Sequence, residues 1–374
     1  MNKMGNLYHY TSVGGFEGII NNNSIRMTKS DFLNDPSDCH LFITLVEQYI
    51  KSNSKILSNI ISSVRNQREI VEKIYKKNGC DLIHYIKYIH KHISLYVMSL
   101  TQIDDGMNMW NYYGQGGMEL KFSIESLIES LQKTFISEKE FLAEAHVIYA
   151  NSEFDVEKIN VPAFADFTLI NKESNNIFED HRSFIKEKSY YDADQLYSTT
   201  RLDQFINTYM KSYITTLEYL LQQKEISDGM PSEIIFQKVY DNVSKLNNFY
   251  YWKHDLSLYM LVLSALIKSD TYEYEDEHRV VYFEYNINSE KTKKEEYTVK
   301  HIMSGDFVCP YITFKKDDEN DLLQSSLKGI TISPVTRNLP INNDTYLETL
   351  KKYILSKGFV NVENVEYSKH TIRW

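Results

Sequence analysis

Cysteine is scarce and scattered in this chain. Cys39, Cys80 and Cys309 form no CxxC pair and leave an odd count. Neither a disulfide framework nor a zinc site is built from such a set. An excess of positive charge is missing too: 41 Lys and Arg stand against 51 Asp and Glu, a formal net charge of −10. No global basic field therefore draws the protein to nucleic acid or to an anionic membrane. The longest apolar run, "LSLYMLVLSALI" from Leu256 to Ile267, is too short to span a bilayer and reads as a buried helix. The opening "MNKMGNLYHY" has no apolar stretch of the secretory type. A soluble protein of the reducing cytoplasm is expected, with no membrane partner. No GxGxxG follows a strand, and GxxxxGK[ST] and HExxH do not occur, so the sequence supports no Rossmann, P-loop or zincin site. The histidines of "HYIKYIHKHI" (His84, His90 and His92) have spacings unsuited to one helix face and read as surface residues.

What is present is ordinary globular material, 42% hydrophobic and 25% charged. A length of 374 residues suggests one large domain with an insertion, or two domains. Tyrosine is abundant, with 29 copies, and suits cores and stacking clefts alike. Strand signals cluster at the two ends of the chain. Near the start, "NLYHYT", "SIRMT", "SLYVMSLTQ", "MELKF" and "AHVIYAN" read as strands. Near the end, "EHRVVYFEYNI", "EYTVKHIM", "PYITFKK", "GITISPV" and "NVEYS" do. Between them, residues 38–96 and 155–268 are mainly helical. A last helix is expected from the Thr345-x-x-Glu348 capping box to Gly358. This arrangement predicts an α+β fold with a mixed or antiparallel sheet. Its α+β domain is split into residues 1–154 and 269–374 around a helical insertion, 155–268.

Four stretches are candidates for chemistry. In "LYHYTS", strand alternation puts Leu7, His9 and Thr11 on one face and Tyr8 and Tyr10 on the other. A histidine there can bond a ribose hydroxyl and a tyrosine can stack on a planar ring, although a satisfied structural histidine has the same pattern. In "TYEYEDEHRVVYF", an extended strand would bring Glu275, Glu277 and Arg279 to one face with the acids ~7 Å apart. The plain alternative is a solvated edge with a Glu–Arg ion pair. In "SLTQIDDGMNMWNYYGQGG", Ser99 and Thr101 share a face, while Trp110, Tyr112 and Tyr113 supply aromatic surface that a core would also use. "FLNDPSD" (32–38) is first of all a turn.

Taken in order, Leu7–Ser12, Phe32–Asp38, Ser99–Thr101, Met109–Tyr113, Tyr272–Arg279 and Ser368–Arg373 resemble the motif pattern of a bacterial family of unknown function. The opening also resembles the first motif of the ADP-ribosyltransferase superfamily. That resemblance implies a split sheet, NAD as substrate and no metal. It implies that His9 binds the NAD ribose, that Ser99 and Thr101 occupy the middle strand, that Glu277 is the catalytic acid and that Glu275 orients the acceptor. Tyr10, Thr11, Trp110 and Tyr113 would complete the NAD pocket, with Tyr10 or Trp110 clamping nicotinamide. The acceptor is left open among protein, nucleic acid and water, and a toxin or phage-defence role is implied for such enzymes in bacteria. The helix after His9 departs from the superfamily, ending in Asn21–Asn23 where a glycine is usual. Two other readings stand beside this one. The fold could serve as a non-catalytic nucleotide- or protein-binding module. Alternatively, Asp35, Asp38, Glu275 and Glu277 could hold Mg²⁺ in a nuclease.

Overall fold

The computed structural model describes residues 5–35, 38–77, 80–114, 116–135, 137–150, 156–163, 168–180, 200–244, 251–284, 299–304, 307–315, 323–336 and 342–371. Arg373, at the end of the last motif, lies outside them. The architecture is α+β, built on an open and mostly antiparallel sheet. It begins with β1 (Asn6–Thr11), whose alternating Leu7 and Tyr8 are both buried, on opposite faces. Ser12 then caps α1 (Val13–Asn22), its hydroxyl accepting from the Gly15 amide at 3.2 Å. Asn23 closes α1 in the left-handed conformation (φ 44°). Asparagine tolerates that conformation, so it does the work expected of glycine. The chain turns back into β2 (Ser24–Lys29).

Two strands organise everything else. β3 (Leu95–Thr101) pairs along its whole length with β9 (Glu277–Glu284), from Leu95↔Phe283 to Thr101↔Glu277. The other edge of β3 is shared. Its first half pairs with β2 (Thr28↔Val97, Lys29↔Tyr96), and its end pairs with β1 at Tyr8↔Thr101. β1 and β2 therefore leave β3 as the arms of a fork. One arm continues through β11 (Phe307–Lys315) to β10 (Lys300–Ser304). The other continues through β4 (Met118–Ser123) and β12 (Leu327–Ile332) to β13 (Asn364–Tyr367). Beyond β9 lie β5 (Glu140–His146) and β7 (Thr168–Ile170), so the region expected to be helical begins by adding a strand to the sheet. A parallel pair, β6 (Ile148–Ala150) with β8 (Ile267–Ser269), closes that region.

Each sheet face carries its own core. Leu95, Val97, Phe141, Val281 and Phe283 pack beneath the helices. These are α2 (Leu41–Ser52), α3 (Ser54–Ser62), α4 (Arg68–Lys77), α5 (Leu82–His92), α8 (Leu202–Gln222), α9 (Ser232–Ser244) and α10 (Tyr251–Leu266). The two helical stretches of the sequence thus form one layer over the sheet. Residues 256–266 of α10 are apolar except for Ser257 and Ser264, and all are buried, as a helix hydrophobic on nearly every side requires. On the opposite face, Tyr96, Met98, Leu100, Val280 and Tyr282 pack with Phe16 and Ile20 of α1. Leu127 and Leu131 of α7 (Ile124–Gln132) and Leu350 and Ile354 of α11 (Asn343–Ser356) complete that core. Because β9 is covered on both sides, it reads as the continuous run Val280–Phe283.

The structure departs from local expectation at the start of the last helix and at one histidine. Asn342, and not the Thr345 box, caps α11, accepting from the Thr345 amide at 3.0 Å. Met109–Tyr112 lie in a short helix, α6 (Met107–Tyr112). His84 and His92 are exposed as expected, but His90 is turned inward and its Nε2 is shielded from water. Among the described residues, no helix is long and apolar enough to cross a membrane.

Candidate functional site

A cleft of about 250 Å³ opens over the fork. β1 contributes Tyr8, His9 and Tyr10, β3 contributes Val97 to Thr101, and β2 contributes Arg26 and Thr28. The carboxylates of Glu275 and Glu277 lie at its far wall with Lys268, Arg279, Asp38 and Tyr113. Seven of the nine residues that the resemblance assigns to an NAD site thus line one cleft: His9, Tyr10, Ser99, Thr101, Tyr113, Glu275 and Glu277. Thr11 and Trp110 do not line it. Thr11 ends β1, and Trp110 stands behind Tyr10, ring to ring at 4.9 Å and edge-on. The Trp110 indole nitrogen is spent on Asp105 Oδ1 at 2.8 Å.

His9 occupies the place where β1 separates from β3. Its Nδ1 lies 3.1 Å from the Ser99 carbonyl, an oxygen that continued β1–β3 pairing would otherwise occupy. A carbonyl only accepts, so Nδ1 carries the proton and Nε2 of the neutral ring is an acceptor. Burial lowers the His9 pKa below its ordinary value, with the Ser99 carbonyl partly opposing. The ring is therefore neutral at physiological pH.

Glu275 and Glu277 reach the same cation, though not from one strand. Glu275 ends a 3₁₀ turn (Asp270–Glu275), Asp276 takes the left-handed conformation at φ 44°, and β9 starts at Glu277. This kink removes the ~7 Å separation of an extended i, i+2 pair. Lys268 Nζ then bridges Glu275 Oε2 at 2.7 Å and Glu277 Oε2 at 2.9 Å. Thr101 fixes the kink, its hydroxyl donating to the Glu275 carbonyl at 2.6 Å, so its part is positional. Tyr113 donates to Glu275 Oε1 at 2.5 Å.

Glu277 is held on all sides. Arg279 Nε donates to its Oε1 at 2.8 Å and an Arg279 terminal nitrogen to its Oε2 at 3.1 Å. The Ser99 hydroxyl also bonds the carboxylate. Burial by itself would raise the pKa of Glu277. The Arg279 and Lys268 charges outweigh it and hold the group at about 2. Arg279, 1% exposed, continues to Asp38 Oδ1 at 2.9 Å and to the Ala265 carbonyl at 2.6 Å. Burial raises the Asp38 pKa, opposed by Arg279 and Lys268. The Glu–Arg pair expected at a solvated edge is thus real but buried. The Mg²⁺ reading meets an obstacle in the donor set: three of its four acids, Asp38, Glu275 and Glu277, are already ion-paired with Lys268 or Arg279. A metal would have to displace both cations.

Sequence reasoning missed Lys268 and Tyr149, whose hydroxyl accepts from the Glu277 amide at 2.8 Å. Lys268 does have a signal, being the first charge after the apolar run that ends at Ile267. Tyr149 has none.

The chain was compared with known proteins. Residues 109–280 match the family model described as "Protein of unknown function (DUF2971)". That span runs from the α6 motif to the Glu275–Arg279 segment and supports a family of unknown function. No curated protein and no solved structure matches.

Proposed function

We propose that the forked cleft binds NAD and that the protein is an NAD-consuming enzyme of the ADP-ribosyltransferase type, transferring ADP-ribose to an acceptor or to water. The observation that carries this reading is the convergence of His9 and Glu277, 268 residues apart in number, on one cleft at the split of a sheet. The residues suit the molecule. His9 Nε2 offers an acceptor to a ribose hydroxyl, and the rings of Tyr8 and Tyr10 offer flat apolar surface. Arg26, stacked on Tyr311 at 5.0 Å and in no ion pair among the described residues, brings positive charge for a diphosphate. The cleft is smaller than the 300–1,000 Å³ typical of ligand pockets. In this reading it takes a ring and a sugar, while the rest of the dinucleotide lies along the open fork.

Bound NAD would supply a nicotinamide–ribose bond whose cleavage builds positive charge on the sugar. Glu277, kept ionised at any physiological pH, places a fixed negative charge for it in a partly dry setting. Glu275 has fewer donors on it than Glu277 and is the better placed of the two to take an acceptor's proton. Tyr10, its hydroxyl donating to the Ile103 carbonyl at 3.0 Å and accepting from the Gly106 amide at 2.7 Å, is a rigid wall that excludes water.

One observation favours a second reading. Every oxygen of Glu277 already has a donor, as suits a fixed structural charge in a nucleotide-binding module without turnover. Calorimetric titration with NAD tests both. Saturable binding that His9→Ala weakens at least about tenfold supports the cleft. Binding with no cleavage in the presence of acceptors favours the module, and absence of binding overturns both.

A further inference from the structure

A second cavity, of about 500 Å³, is lined by a different set of residues. Its walls are the start of the 3₁₀ turn after β2 (Lys29, Ser30, Asp31), the segment Cys39–Glu47 and the last turns of α5. Nothing in the proposed chemistry uses it.

The cavity gathers cationic groups in excess of anionic ones. Its two acids are already engaged. Asp31 pairs with Lys29 at 3.0 Å, and Glu47 pairs with Lys51 at 2.8 Å and Lys87 at 3.6 Å. Lys91, exposed on the same wall, has no ion pair among the described residues. Beside it stand His40 and His90. Burial first, and His40 second, lower the His90 pKa to about 4. His90 Nε2 makes no hydrogen bond among the described residues, and a dry, unpaired ring nitrogen is unfavourable. Rotation about χ2, a broad torsion for histidine, turns a ring nitrogen towards the cavity. An anion there satisfies Lys91 and both rings at once, and a phosphate group has the oxygens to do so. Ser30, Thr44 and Ser94 line the same space.

We propose that this cavity is a binding site for a small phosphate-bearing anion, held by Lys91, His40 and His90. The site is distinct from the cleft and joined to it by consecutive residues. Asp38 faces the cleft, Cys39 takes the left-handed conformation at φ 62°, and His40 faces the cavity. A ligand bound on His40 thus sits two residues from the carboxylate that holds Arg279.

The test is a titration of the full chain with inorganic phosphate, followed by NMR of the histidine ring nitrogens. Saturable shifts of His90 and His40 are expected, weakened at least about tenfold by Lys91→Met. Lys91 is exposed, so that variant keeps the fold. His90→Gln should weaken binding as well, while Arg26→Gln in the cleft should leave these shifts unchanged. The proposal is overturned if wild-type His90 and His40 show no saturable shift up to the order of 10 mM phosphate. It is also overturned if the shifts persist in Lys91→Met, or vanish in Arg26→Gln.

Discussion

Arg279 Nε lies 2.8 Å from Glu277 Oε1, and both side chains are almost wholly buried, at 1% and 3% exposed. Two residues apart on a strand, they share a face, and the guanidinium carries the link on to Asp38 and to the Ala265 carbonyl. Removing one partner of such a pair leaves an uncompensated charge in a dry place. Arg279→Met is expected to destabilise the fold by about 3–5 kcal/mol. Arg279→Lys recovers little of this, because an ammonium cannot span three acceptors set for a fork. Urea denaturation of the two variants checks this, and a lysine variant as stable as wild type would refute it.

Acid sensitivity follows from Glu277. Its folded pKa, about 2, lies below the ordinary 4.5. The stabilisation is therefore complete above pH 4.5 and is lost as the pH falls towards 2. The size is on the order of 3 kcal/mol. Glu277→Gln should flatten the stability profile across that window, as read by denaturation at fixed pH values.

Glu119 acts with the opposite sign. It is 1% exposed, and burial raises its pKa to about 6, opposed by its hydrogen bonds with Tyr10, the Asp105 amide and Thr331. The folded state binds its proton more tightly than the unfolded chain. Stability should therefore decline by about 2 kcal/mol as the pH rises from 4.5 to 6. Glu119→Gln removes this slope, and a slope that survives the substitution would be against it.

The wall behind Tyr10 depends on Asp105. Its carboxylate accepts from the Trp110 indole at 2.8 Å and from the Lys369 amide at 2.7 Å, tying the C-terminal segment to α6. Asp105→Ala orphans both donors and should cost about 2–4 kcal/mol. Near-ultraviolet circular dichroism should show the Trp110 band weakened, and an unchanged band would contradict the assignment.

Gly117 meets the end of β1 too closely for a side chain. A Cβ there would lie 2.0 Å from the Thr11 carbonyl oxygen. Gly117→Ala is expected to shift the strand that carries His9 and to lower NAD affinity together with thermal stability, measured on one preparation.

Strands with clean patterns were legible in the sequence, among them β1, β3 and β9, as was the helix that ends near Gly358. The convergence of His9, Ser99, Tyr113 and the two glutamates came from motif order, since alternation places a residue on a face without naming the partner strand. Three features were out of reach for physical reasons. The left-handed Asp276 breaks the alternation that the extended reading of 271–283 assumed. Lys268 reaches both acids from a neighbouring strand pair, a tertiary meeting that no local spacing encodes. The fork in the sheet depends on how far β1 and β2 each run along β3, and register of that kind is invisible in either strand alone. Trp110 was legible as aromatic surface, but the Asp105 bond that turns it away from the cleft was not.

The most direct measurement is nicotinamide release from NAD by the purified protein, beside His9→Ala and Glu277→Gln, with melting curves for all three. The account predicts release by the wild type and a loss of at least about 100-fold in His9→Ala, equivalent to about 2.7 kcal/mol of barrier, with the His9→Ala melting point unchanged. Glu277→Gln should lose release as well. No release by the wild type, or release undiminished in the folded His9→Ala variant, would contradict it.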